Sequence, residues 1–198
     1  MQTTTDIIET VTEPAAEPLT VAELKHDASL NLEGNAHDAM LGRFIATARQ
    51  LFEIETDGRI VIATVFRQHL TQWPEDGVIR LQRGKVTAVA SVTYYDAEDE
   101  LQTLNEADYS LDLTGIPGLV LVENMPALSG SKLRPITVQF TAGWADAASV
   151  PADVKQAVFN LAAHLVINRE SHSETDLKAV PMGFARLCDR YRTGLKGF

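Results

Sequence analysis

Residues 149–170, SVPADVKQAVFNLAAHLVINRE, leave this chain few options. Val154, Val158, Leu161 and Leu165 recur at the spacing of one helical face, and Phe159, Ala162, Ala163, Val166 and Ile167 carry apolar surface around most of the remaining circumference. Pro151 suits a first helical position, where its missing N–H has no intrahelical partner. Asp153 in the first turn complements the positive end of the helix dipole. The spacing predicts a long central helix that meets water only along Lys155, Gln156, Asn160 and His164 and exits at Asn168-Arg169-Glu170. The rest of the chain has to cover it.

Three further helices are available as cover. Thr20-x-x-Glu23 is a capping box, and Leu19 before the cap can staple onto Leu24, so a short helix starts at Thr20 and gives way near residues 31–35. A longer helix is predicted over 36–56, with Asn35 as its cap, Asp57-Gly58 as its stop and a buried stripe of Leu41, Phe44, Ile45, Ala48, Leu51 and Phe52. After the polar stretch 171–179, read as a mobile loop, Pro181 opens a last helix. Phe184, Leu187, Cys188, Tyr191 and Leu195 share one face of it, with Arg186, Arg190 and Lys196 elsewhere. Such a helix either docks on another subunit or closes the core. Residues 1–18, rich in Thr, Glu and Pro, have too little periodic apolar content to pack alone and read as a flexible arm.

Between the second helix and the central one the period becomes alternating, with turn residues every eight to twelve positions. Strands are predicted at 60–71, 78–82, 86–95, 101–104, 109–113, 119–122 and 136–141. The fold class is therefore α+β: a four-helix bundle-like core with an inserted small antiparallel β domain. Its parts are a flexible N-terminal arm (1–18), the first half of the helical core (19–58), the β insertion (59–145), and the second half of the helical core with a C-terminal tail (149–198).

The formal charge of −10 and pI near 4.9 argue against a protein that grips nucleic-acid phosphates, since that affinity comes from Lys and Arg neutralising them. The charge is uneven. Eleven acids face three bases in residues 1–57, whereas Lys178, Arg186, Arg190, Arg192 and Lys196 face Asp189 alone in residues 178–198. This asymmetry suits complementary contacts within a subunit or between subunits, or else solvated faces of unrelated helices. The single cysteine, Cys188, permits no intrachain disulfide and reads as a buried structural thiol. No window holds about 18 consecutive apolar residues and the first 18 residues lack the regions of a signal peptide, so no membrane is expected and synthesis is expected in the cytoplasm.

Chemistry is sparse. No Gly-rich phosphate loop, nucleophile elbow or HExxH pattern occurs. Glu170, His172, Glu174 and Asp176 lie in a polar loop, and Asp96, Glu98, Asp99 and Glu100 lie at a hairpin turn, where solvated acids are common. His37 reads as a surface residue, His69 and His164 as structural histidines, and Trp73 and Trp144 as half-buried packing residues or exposed anchors. No catalytic residue, metal site or cofactor is expected.

The order of segments says more than any one of them. LTVAELKHDASL, DAMLGRFIATARQLFEIETDGRIV, VTAVASVTYYDAEDELQTLNEADYSLD, ITVQFTAGWADAASVPADVKQAVFNLAAHLVINRE and VPMGFARLCDRYR together resemble the head-tail connector, or adaptor, proteins of tailed bacteriophages and of phage-derived gene transfer agents. The resemblance runs from Leu19 to Arg192, and departs from the family in the long arm and in residues 193–198. It implies a structural, non-enzymatic virion protein: a ring, usually of twelve copies, under the portal protein, extending the DNA channel and docking the head-completion (stopper) or other neck protein. It further implies a virion neck location after assembly from the host cytoplasm, with double-stranded DNA passing unbound. Arg186, Arg190, Arg192, Lys196 and Phe198 are the residues expected at the portal or subunit interface. The competing readings are a monomeric soluble β-rich binding module and a small hydrolase using loop carboxylates.

Overall fold

Residues 6–27, 34–167 and 182–195 are described by the computed structural model. Its elements run β1 (Ile7–Thr12), α1 (Val21–Asp27), α2 (Asp38–Glu55), β2 (Thr64–Leu70), β3 (Val78–Leu81), β4 (Val86–Tyr95), β5 (Leu101–Thr103), β6 (Tyr109–Asp112), β7 (Gly118–Val122), β8 (Ile136–Ala142), α3 (Ala152–Ile167) and α4 (Met182–Tyr191). The fold is α+β. The described residues divide into a β unit, residues 6–14, 63–143 and 195, and a helical unit, residues 15–27, 34–62, 144–167 and 182–194.

Within the helical unit α3 packs against each of α1, α2 and α4. It buries Val154, Ala157, Val158, Leu161, Ala162 and Val166 against Leu24, Leu41, Ile45, Phe52 and Phe184. Ile167, read from the sequence as covered surface, is instead 68% exposed. It is the last residue of α3, one position past Val166, the last buried residue of that helix. The predicted capping box is present: Thr20 N–H and Oγ1 donate to Glu23 Oε2 at 2.6 and 2.8 Å, and Glu23 N–H donates back to Thr20 Oγ1 at 3.1 Å. Leu19 and Leu24 both reach the core.

α2 starts later than its sequence suggests. Asn35 accepts Asp38 N–H only through its backbone carbonyl (3.1 Å), and His37, exposed, takes the cap position with no side-chain hydrogen bond. Lys25 anchors this turn from α1, pairing with Asp38 and donating to Gly34 O at 2.6 Å. The predicted stop holds. Asp57 and Gly58 turn left-handed (φ 54° and 82°), a region that glycine enters without a Cβ penalty, and Gly58 N–H closes on Glu53 O at 2.8 Å.

The β unit contains a five-stranded sheet, β1-β2-β8-β4-β5, and a three-stranded sheet, β3-β7-β6, with every neighbour antiparallel. β2 and β8 alternate strictly between buried and half-buried residues, so that Phe66 faces Phe140 and Leu70 faces Ile136 across the ladder. The two Phe rings sit 5.7 Å apart. One polar residue interrupts this apolar face. Gln68, 0% exposed, donates through Nε2 to Asp6 (2.8 Å) and Arg80 O (3.0 Å), and accepts Gln82 N–H at 2.9 Å, which ties the larger sheet to the end of β3. Burial raises the Asp6 carboxyl above its ordinary range, against the Gln68 hydrogen bond.

Residues 7–12, inside the stretch read as an arm, form the edge strand β1 on β2. All but Ile8 are exposed, so what holds the strand is its backbone ladder and not an apolar stripe. Side-chain periodicity carries no trace of such pairing, although IIETVT is rich in β-branched residues that suit a strand.

Candidate functional site

The basic residues expected at an interface fall on α4 and just beyond it. Phe184 and Cys188 fix this helix in the core, and Phe52 meets Phe184 edge-on at 6.3 Å and Tyr191 at 6.2 Å. Asp153, in the first turn of α3, then holds the last turn of α4: Tyr191 O–H donates to Oδ1 at 2.8 Å and Arg190 donates to Oδ2 at 3.1 Å. Arg59 lies 5.9 Å from the Trp144 ring and 5.6 Å from the Tyr191 ring, where a guanidinium meets the negative aromatic face. Burial lowers the Arg59 pKa, while burial and the Asp153 carboxylate raise that of Tyr191.

The chain leaving α4 is fastened to the end of α2. Thr193 N–H donates to Thr56 O at 3.1 Å, and its hydroxyl donates to Asp57 O. Arg192 donates to Asp189 at 3.0 Å and approaches Asp57 (3.9 Å) and Glu55 (4.0 Å). Thus Arg190 and Arg192 answer acids of their own chain. Arg186 is exposed and has no hydrogen bond or ion pair among the described residues. Lys196 and Phe198 lie outside the described residues.

Beside these arginines, α2, α3 and α4 enclose an apolar groove of about 180 Å³. Leu51, Leu161, Phe184, Ala185 and Cys188 line it, with Glu55 and Arg192 in its wall. Burial pushes the Cys188 thiol up to about 12, far from the reactive thiolate range, which fits the structural role read from the sequence.

The strongest electrostatic device in the unit gave a weaker sequence signal. Arg49 is 5% exposed; it donates Nε and Nη2 to Glu17 (2.8 and 3.3 Å) and Nη1 to Glu53 (3.0 Å), and Glu53 also accepts Val61 N–H at 2.9 Å. This fork joins the segment before α1 to the body of α2 and the strand entrance. Burial raises the Glu53 carboxyl despite the adjacent guanidinium. Arg49 sits four residues after Ile45 on the buried stripe and four before Glu53, which is the pattern that marks it.

Of the other candidates, those within the described residues make structural contacts. Asp96 caps its own turn, accepting Glu98 and Glu100 N–H at 3.1 and 2.9 Å and Gln102 at 2.7 Å, and Asp99 accepts the Ser129 and Ser131 hydroxyls; these bonds lower both carboxyl pKa values. Trp73 is half-buried and donates to Pro126 O at 2.9 Å; Trp144 is half-buried between Arg59 and Tyr191. His69 Nδ1 lies 3.0 Å from Thr137 Oγ1. Glu170, His172, Glu174 and Asp176 lie outside the described residues, and among the described residues no three potential metal ligands gather.

The chain matches no protein-family model and no curated protein. Among solved structures it is similar to a chain in the neck of an empty gene transfer agent particle computed with C6 symmetry, at 25% identity and a TM-score of 0.78. That match covers 94% of this chain and 95% of the other. A chain in the virion of a native gene transfer agent particle matches equally (0.78, 25%), and one in the neck of a native particle computed with C12 symmetry matches at 0.75 and 25%, both with the same coverage. The resemblance to phage and gene transfer agent neck proteins that the ordered sequence segments carry is shown, over nearly the whole chain, by these three structures.

Proposed function

We propose that this chain is a structural protein of a virion neck, the adaptor ring between portal and tail. The observation that carries the reading is the near-complete mutual coverage, 94% and 95%, at a TM-score of 0.78 with a chain of a gene transfer agent neck. A match of that extent leaves little of either chain over for a different task. Twelve copies satisfy both the C6 and the C12 symmetry of the neighbouring necks.

In this reading the ring lies beneath the portal protein, extends the DNA channel and offers a platform to the stopper or next neck protein. The net charge of −10 suits a channel that passes DNA without holding it, because like charges repel within about 8 to 10 Å at physiological salt. Arg186, together with Lys196 and Phe198, remains for the portal or neighbour contact; Arg190 and Arg192 join it by exchanging internal carboxylates for external ones. The subunit performs no reaction and waits in the host cytoplasm until assembly.

Native mass measurement of the chain alone and mixed with the portal of the same particle tests this. The expected product is a portal complex carrying twelve copies. A chain that stays monomeric and unbound beside an assembled portal contradicts the reading. Arg186→Glu should lower portal or ring occupancy without unfolding the subunit, and unchanged occupancy removes Arg186 from the interface.

A further inference from the structure

We propose that Leu133 of one copy is a knob that seats in the α2–α3–α4 groove of a second copy. The proposal rests on the ring reading above and goes on to name the contact that closes it. Leu133 is 85% exposed, in a connection of thirteen residues between β7 and β8, residues 123–135, that has no secondary structure of its own. Connections of that length without structure are uncommon in compact domains, and are usually either functional or disordered linkers.

This one is held in shape. Tyr95 O accepts Ser129 N–H and Tyr95 N–H donates to Pro135 O, each at 2.9 Å, so residues 129–135 hang from a single residue of β4. The Ser131 hydroxyl lies 2.8 Å from both Asp99 oxygens, and the Lys132 ammonium sits 4.9 Å from the Tyr95 ring centre. Leu133 is therefore presented on a preordered loop, and most of the entropy cost of fixing it is met before any partner arrives.

The groove fits it in size, polarity and charge. A cavity of about 150 Å³ lined by Leu, Ile and Phe accepts a six-carbon ring, so about 180 Å³ walled by Leu51, Leu161, Phe184 and Ala185 holds the four carbons of a leucine side chain. Exposed Lys132 and Arg134 flank the knob. The groove edge carries Glu55 and, through its bond to Arg192, Asp189, two carboxylates against one guanidinium. Opposite charges around an apolar centre set the orientation of the contact. Knob and groove are different surfaces, so the contact is head-to-tail, the kind that closes into a ring by rotation.

Two variants test the proposal in the full-length chain mixed with portal. Leu133→Asp, at a site so exposed that the fold is unaffected, should reduce assembled rings at least tenfold, with unchanged circular dichroism. A photo-cross-linking benzoylphenylalanine in place of Leu133 should capture Leu51, Leu161 or Ala185 of another copy, identified as hybrid peptides from mixed heavy and light subunits. Wild-type ring formation by Leu133→Asp, or capture at any other surface, overturns the knob while leaving the ring reading intact. A wild-type chain that never self-associates on the portal overturns both.

Discussion

In the β unit the decisive side chains face one another across neighbouring strands, whereas in the helical unit they arrive from segments far apart in the chain. Phe66 and Phe140, or Leu70 and Ile136, are paired by ladder register within residues 63–143. Phe52 with Phe184 and Tyr191, and Thr56 with Thr193, meet only after the whole of that segment has been spanned. Apart from β1, the β unit is thus one continuous piece with a closed set of pairings. The helical unit is two halves that need each other, and its long-range contacts cost more loop-closure entropy to form. Each unit contains one tryptophan, Trp73 in the first and Trp144 in the second, so the two can be followed separately.

The largest effect is expected from the fully buried ring at the centre of the helical unit. Phe52→Ala should destabilise it by about 3 to 5 kcal/mol, since Phe52 is 0% exposed and touches both Phe184 and Tyr191. In a Trp73→Phe background, denaturation followed by Trp144 should shift far more than denaturation followed by Trp73 in a Trp144→Phe background. Equal shifts would mean that the two units unfold as one.

Next comes the fork. Arg49→Ala strands two carboxylates, and because Glu17 keeps 27% of its side chain in water the loss should fall below the about 3 to 5 kcal/mol of a fully buried pair. Glu17→Gln in the Arg49→Ala background should recover part of it, and a double-mutant cycle with no coupling would remove the fork from the account. In the β unit the counterpart is Gln68→Met, which keeps the volume but leaves Gln82 N–H without its acceptor. A loss of about 1 to 3 kcal/mol is expected, read through Trp73.

The smallest effects sharpen the comparison at α4. Tyr191→Phe should cost about 1 kcal/mol through the lost bond to Asp153. Arg190→Ala, removing a side chain that is 71% exposed, should cost less than about 1 kcal/mol. A larger loss from Arg190 than from Tyr191 would mean that the ion pair rather than the hydroxyl hydrogen bond holds Asp153 to the helix.

Much of this was legible in the sequence, for physical reasons that differ by region. α3 announces itself because its apolar residues repeat at helical spacing, and β4, predicted at 86–95, is found at Val86–Tyr95 because clear turn signals, Arg83-Gly84 and residues 96–100, bound it. β1 was not legible, since its strand is made by backbone bonds to β2 and hides almost no side chain. The cap of α2 was misplaced because residues 35–37 turn before the helix, with Asp38 N–H closing on the Asn35 carbonyl, and the cap position falls to His37 with no side-chain hydrogen bond. On α4 and just beyond it, sequence marked the arginines but not the internal acids that answer two of them, Asp153 for Arg190 and Asp189 for Arg192, since which charges meet is decided by packing.

The account stands on the chain being a repeated component of a particle neck. Reconstruction of the assembled particle by cryo-electron microscopy tests it most directly. The account predicts twelve copies of both units in one ring of density next to the portal, with the long axis of the particle passing through the open centre. Density for this chain elsewhere in the particle, or none at all in a complete neck, would contradict it.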